Sequence, residues 1–127
     1  MSSAVLDASA LIAWLRREPG ADRLKGRIAG ALVSSVNIAE VHSKLVADGT
    51  DEDDAWKQIQ YLGCESVVFG DALARAAGGM ARRTKPYGLS LGDRACLALA
   101  IQRNATVYTA DRAWSGLSLG IKIEVLR

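Results

Sequence analysis

Four carboxylates in this chain recur at one kind of position. Asp7 directly follows the apolar run Val5-Leu6, and Asp111 follows Val107-Tyr108-Thr109-Ala110. Asp93 opens the apolar stretch 91–103, and Glu40 sits in the first turn of a stretch read as helix over 37–48. Ligands of open parallel sheets bind beyond the carboxyl ends of the strands, so acids just after strands, or at helix starts facing that edge, converge. Converging carboxylates repel and raise one another's pKa, a penalty that a divalent cation removes. With no His or Cys in the set, the all-oxygen donors favour a hard ion, Mg²⁺ or Mn²⁺. Such a site can activate water and stabilise the leaving oxygen in phosphodiester cleavage, which is the design of a phosphoryl-transfer nuclease.

Each acid also has a plainer reading. Asp7 and Asp111 suit helix N-caps, and Ser90-x-x-Asp93 and Asn37-x-x-Glu40 resemble capping boxes. The apolar setting argues against caps alone. Asp7 is bracketed by Val5-Leu6 and Leu11-Ile12, and Asp93 shares a helical stripe with Cys96, Leu97 and Ala100. Acids in such places are costly unless paired or metal-bound. Glu40 is less apolar in its surroundings, since on a helical wheel it opposes Ile38, Val41 and Leu45.

The elements that must place these acids alternate between strand and helix. A short buried strand, Ser3-Ala4-Val5-Leu6, runs into a helix with Ala8, Leu11, Ile12 and Leu15 on one face, stopped by Pro19-Gly20. Helical stretches are expected over about 21–28, 37–48, 51–61 (with Trp56 and Ile59 inward), 71–83, 91–103 and near 112–115. Strands are expected at 31–34, 65–69, 105–109 and 122–126. This alternation indicates parallel βα units, and apolar strands such as Val67-Val68-Phe69 suit a sheet covered on both faces. The predicted fold class is α/β, a three-layer α/β/α sandwich with a mostly parallel four- or five-stranded sheet, in a single domain over residues 1–127.

Composition agrees. A chain of 127 residues, 50% hydrophobic and 24% charged, supports one real core and excludes intrinsic disorder. Sixteen basic against fourteen acidic residues leave +2, too balanced to announce a nucleic-acid binder by charge. Cys64 and Cys96 have no metal or redox spacing, and Cys96 reads as a buried thiol. No segment approaches the roughly 18 apolar residues of a membrane span. Asp7 interrupts the first apolar stretch and no basic residue precedes it, so no signal peptide is expected and the reading is cytoplasmic.

Other reactive side chains carry less. The run Asp51-Glu52-Asp53-Asp54 reads as a solvated helix start behind Thr50. His42, two positions from Glu40, points away from it and reads as a packed or interface residue. Arg82, Arg83 and Lys85, ahead of the loop to Asp93, and Arg112 beside Asp111 are candidates for gripping nucleic-acid phosphates. The plain alternative for the first three is closure of a helix C-terminus.

The segments Val5-Leu6-Asp7-Ala8-Ser9-Ala10-Leu11, Asn37-Ile38-Ala39-Glu40-Val41, Leu89-Ser90-Leu91-Gly92-Asp93 and Val107 to Trp114 occur in an order and spacing that resemble the PIN-domain ribonucleases. Within that superfamily the likeness is to the VapC toxins of bacterial toxin–antitoxin pairs. The resemblance implies that Asp7, Glu40, Asp93 and Asp111 bind Mg²⁺ or Mn²⁺, with Asp7 and Asp93 holding the main ion. Ser9 and Thr109 match positions that support the ligands by hydrogen bonding, and Asn37 is placed with them. The implied activity is endonucleolytic cleavage of RNA, often tRNA or rRNA. The implied partners are a small VapB-like antitoxin, whose tail occupies the active-site groove, and a second copy of the chain in a homodimer, with no membrane. The rival reading is a non-catalytic PIN-like module that binds RNA or protein. A haloacid-dehalogenase-type phosphatase needs an Asp where Ser9 stands, a receiver domain needs adjacent acids before its first helix, and no GxGxxG or P-loop motif occurs.

Overall fold

Neighbouring residues on a strand point to opposite faces of a sheet, and here that alternation feeds two separate cores. In the computed structural model, which describes residues 3–127, the strands are β1 (Ala4–Leu6), β2 (Leu32–Ser34), β3 (Glu65–Val67), β4 (Thr106–Thr109) and β5 (Ile123–Val125). Met1 and Ser2, the start of the expected domain span, lie outside the described residues. The sheet order is β3-β2-β1-β4-β5 and every pairing is parallel, with Val5 in register with both Leu32 and Val107.

Leu6, Val33 and Tyr108 pack on one face against α1 (Ala8–Leu15), α2 (Ser35–Ala47) and α3 (Glu52–Tyr61), through Leu11, Ile38, Val41, Leu45 and Ile59. Val5, Leu32 and Val107 pack on the other face against Leu73 of α4 (Asp71–Gly79), Cys96, Leu97 and Leu99 of α6 (Leu91–Arg103), and Trp114. A four-residue α5 (Ala81–Thr84) follows α4. The three-layer α/β/α reading therefore holds, with five strands, all parallel. Among the described residues no helix is long and apolar enough to cross a membrane.

The chain steps outward from β1 to β2 to β3, then returns past β1 to form β4 and β5. The order reverses between β1 and β4, and that reversal opens a crevice at the carboxyl ends of the two strands. Asp7 and Asp111 come just after these strands.

Several local expectations fail for identifiable reasons. Val68 is 77% exposed and lies beyond β3, an edge strand whose Glu65 and Ser66 are also exposed, so the sheet is not covered there. Trp56 is 45% exposed, with its ring edge-on to His42 at 5.4 Å. The 71–83 helix breaks at Met80 after Gly78-Gly79, a pair that weakens a helix interior. The 21–28 stretch shrinks to a 3₁₀ turn, Ala21–Leu24, before Gly26 takes a left-handed φ of +79°. α2 starts two residues early because Ser34 caps it, which puts Glu40 in its second turn. α3 is capped by Asp51, not Thr50.

Trp114 is fully buried, and truncating it should be expensive. Trp114→Ala is expected to cost about 3–5 kcal/mol, and Trp56→Ala less than about 1 kcal/mol, as read by urea denaturation. Equal costs would contradict the core described here.

Candidate active site

Asp7 is the N-cap of α1 and is only 3% exposed. Its Oδ1 accepts from the Ala10 amide at 2.8 Å. Thr109 Oγ1 donates to Oδ2 at 2.5 Å, and Ser9 Oγ lies 2.8 and 2.9 Å from the two oxygens. Each hydroxyl is itself polarised: Ser9 Oγ accepts from Ala110 N at 2.9 Å and Thr109 Oγ1 from Asp111 N at 3.1 Å. The network spans β1 and β4, and such chains strengthen one another. Burial nevertheless wins over these bonds. It pushes the Asp7 carboxyl from 3.8 up to about 6, with the Asp93 charge adding to the rise.

Glu40 and Asp93 come from different helices. Asn37, fully buried in the first turn of α2, donates through Nδ2 to Glu40 Oε1 at 2.7 Å and to the Gly92 carbonyl at 3.0 Å. The expected Asn37–Glu40 capping box is therefore a side-chain contact instead, because Ser34 takes the cap. Ser90 and Asp93 do form a capping box: Asp93 Oδ2 accepts from Ser90 N at 2.9 Å, and Ser90 Oγ accepts from Asp93 N at 3.2 Å. Asp111 caps the 3₁₀ turn Arg112–Gly116 through Ala113 N at 2.9 Å.

Asp7, Glu40, Asp93 and Asp111 all line one cleft of about 1170 Å³. Beneath it, burial pushes the Cys96 thiol well above its ordinary value, and the charges of Asp7, Asp93 and Glu40 raise it further. Three of the acids thus act on one point. Asp111 lines the same cleft but stands outside that electrostatic trio. Arg82, Arg83, Lys85 and Arg112 are exposed and are not among the cleft's lining residues. Arg83 borders a separate cavity between α4 and α6, and Arg112 Nε donates to the Arg127 carbonyl at 3.2 Å. The cations that do line the cleft are Lys44 and Arg127. Sequence reading missed both, because Lys44 lies one helical turn beyond Glu40 and Arg127 is brought in from the far end of the chain.

The chemistry of the donor set fits a hard divalent ion. Among the described residues no cation pairs with any of the four acids, so the buried Asp7 charge lacks a counter-ion. Glu40 Oε2, Asp93 Oδ1 and Asp111 Oδ2 have no hydrogen-bond partner among those residues. The fit is one of donors and placement, since no three His, Cys, Asp or Glu side chains among the described residues are already arranged to hold one ion.

Asp7 also makes stability depend on pH. Its folded pKa lies above the unfolded value, so between about pH 4 and 6 the native state binds more protons and stability falls as pH rises. In EDTA, Asp7→Asn is expected to be more stable than the parent at about pH 7.5, by on the order of 1–3 kcal/mol, with the gap closing towards pH 4. Urea denaturation at the two pH values checks this, and a gap that does not change with pH would contradict it.

The PIN domain model matches residues 4–118. No curated protein matches the chain significantly. Among solved structures, the DNA-bound VapBC from Salmonella typhimurium superposes with a TM-score of 0.76 at 18% identity, covering 100% of both chains. VapBC2 from Rickettsia felis, bound to a promoter DNA fragment, gives 0.73 at 16% identity over 98% of each chain. VapBC-5 from Mycobacterium tuberculosis gives 0.62 at 22% identity, covering 100% of this chain and 99% of that one. These likenesses are of fold, and the five-stranded parallel sheet with helices on both faces is the fold they share with it. On the matched length and the architecture together, the chain belongs to the PIN domain family.

Proposed function

We propose that the chain is a Mg²⁺- or Mn²⁺-dependent endoribonuclease, acting in the cytoplasm on tRNA or rRNA as the toxin of a toxin–antitoxin pair. The observation that carries this reading is the buried Asp7 carboxylate, uncompensated by any cation among the described residues, in a cleft also lined by Glu40, Asp93 and Asp111. Membership of the PIN domain family supports nuclease activity, and the solved structures of similar fold include VapBC complexes.

Asp7 and Asp93 would hold the main ion, and Glu40 and Asp111 would complete the set directly or through water. A bound Mg²⁺ or Mn²⁺ supplies a more acidic water and neutralises charge developing on the phosphate. Ser9 and Thr109 hold Asp7 oriented across β1 and β4, and their O–H groups favour its charged form. Lys44 and Arg127, on the cleft wall and paired there with Asp48 and Glu18, would attract the RNA backbone into an otherwise acidic groove. Arg112, Arg82, Arg83 and Lys85 would extend that attraction outside the cleft.

A VapB-like antitoxin is the proposed partner, its tail lying in the same groove, where Ile12, Val36, Ala39 and Ala47 supply an apolar wall beside the acids. A homodimer is proposed as the assembly. One specific observation favours a second reading, a non-catalytic module that binds RNA or protein: three of the four acids already serve helix N-termini, and no three are arranged for an ion.

Cleavage of mixed tRNA and rRNA by antitoxin-free protein separates the two, run with Mg²⁺, with Mn²⁺ and with EDTA. The expected result is discrete cuts that need the metal and fall at least roughly 100-fold in Asp7→Asn and in Asp93→Asn. Parental rates in either variant would sink the assignment. Metal-independent RNA binding with no cleavage would favour the module.

A further inference from the structure

We propose that Gly92, acting with the Asn37 amide, is the positioning residue that sets where Glu40 stands relative to Asp93. The inference rests on reading Glu40 as a carboxylate of the metal site. Gly92 is buried in the first turn of α6 and has no left-handed φ, so the backbone there does not call for glycine. Alanine would be the better helix former at such a position.

Space explains the glycine. A Cβ at position 92 would lie 2.6 Å from Glu40 Cδ and closer still to both carboxylate oxygens. The Glu40 carboxylate therefore occupies the volume that any side chain at 92 would take. Because the obstructing atoms are the end of a flexible side chain, a methyl group at 92 would displace the carboxylate rather than the fold.

Asn37 fixes the same carboxylate by hydrogen bonding. Its Nδ2 bonds both Glu40 Oε1 and the Gly92 carbonyl, and both partners only accept. The amide cannot flip without setting oxygen against oxygen twice, so its orientation is determined. Its Oδ1 is buried without a partner among the described residues, a cost that accompanies this grip. Glu40 of α2 is thereby docked on the first turn of α6, one residue from Asp93, whose own carboxylate is held by Ser90 N. One absent methyl group and one amide fix the spacing of two acids from different helices.

The test compares Gly92→Ala, Asn37→Asp, Glu40→Ala, and Glu40→Asp with and without Gly92→Ala, with the parent, measuring Mn²⁺ affinity by calorimetry, melting temperature in EDTA and cleavage rate. Gly92→Ala is expected to melt at or above the parental temperature while Mn²⁺ affinity falls about 10-fold. Asn37→Asp, which turns the donor into an acceptor, is expected to lose Mn²⁺ affinity similarly. In a Glu40→Asp background, whose shorter side chain withdraws from position 92, Gly92→Ala is expected to cost markedly less affinity. Parental Mn²⁺ affinity in Gly92→Ala, with a loss in Glu40→Ala, would overturn the positioning role alone. Parental affinity in Glu40→Ala would instead overturn the reading of Glu40 as a metal-site carboxylate, and the positioning role with it. A lowered melting temperature in Gly92→Ala would make Gly92 a packing residue and overturn the inference too.

Discussion

A carboxylate buried where two parallel strands part is the constraint around which this molecule is organised. Asp7 must be taken out of water because it directly follows Val5 and Leu6 of β1, both fully buried. No cation among the described residues compensates it. Its charge is instead met by two hydroxyls and one amide, and the hydroxyls are in turn held by backbone N–H groups after β4. That network ties the first strand to the fourth at the point where the sheet order reverses. Burial outweighs these bonds and raises the carboxyl to about 6. Residues that stabilise the fold modestly at this edge thus hold a group whose charged form asks for a positive ion.

Capping and site-building are not competing explanations for these acids. Asp7 and Asp111 cap helical turns and Asp93 closes a capping box, yet all three line the same cleft with Glu40. A helix N-terminus carries unsatisfied N–H groups and a partial positive charge, so an acid there is stabilised and aimed at once. Parallel βα units put helix N-termini at the carboxyl ends of the strands, the same edge where the crevice opens. Each cap uses one carboxylate oxygen, and the second oxygens of Asp93 and Asp111 keep no partner among the described residues. The local need for a cap therefore leaves coordination capacity over.

The fold was legible because its signals are local. The i, i+3, i+4, i+7 pattern of Ala8, Leu11, Ile12 and Leu15, the apolar 91–103 run and the short strands between them each state a period within a few residues. Their alternation restricts the sheet to parallel pairings with helices on both faces. Errors fell where neighbours, not periodicity, decide: Val68 has no helix over it, Gly78-Gly79 interrupts an apolar helical pattern, and Trp56 meets His42 rather than the core.

The placement of three acids directly after strands or at helix starts follows from adjacent residues alone, since a cap and the element it opens are covalent neighbours. What stands opposite them does not. That Asn37 of α2 reaches the carbonyl of Gly92 on α6, that Glu40 fills the space a side chain at 92 would need, and that Arg127, beyond β5, returns to a cleft begun by Asp7 are matters of how elements pack across separations of 52 to 120 residues. Periodicity carries no record of such pairings, because they depend on where whole elements dock and on the volume left between them. The chain's local order wrote the sheet edge and its acids; the parting of β1 and β4 brought Asp7 and Asp111 to one cleft, and the docking of α2 on α6 set Glu40 against Gly92 beside Asp93.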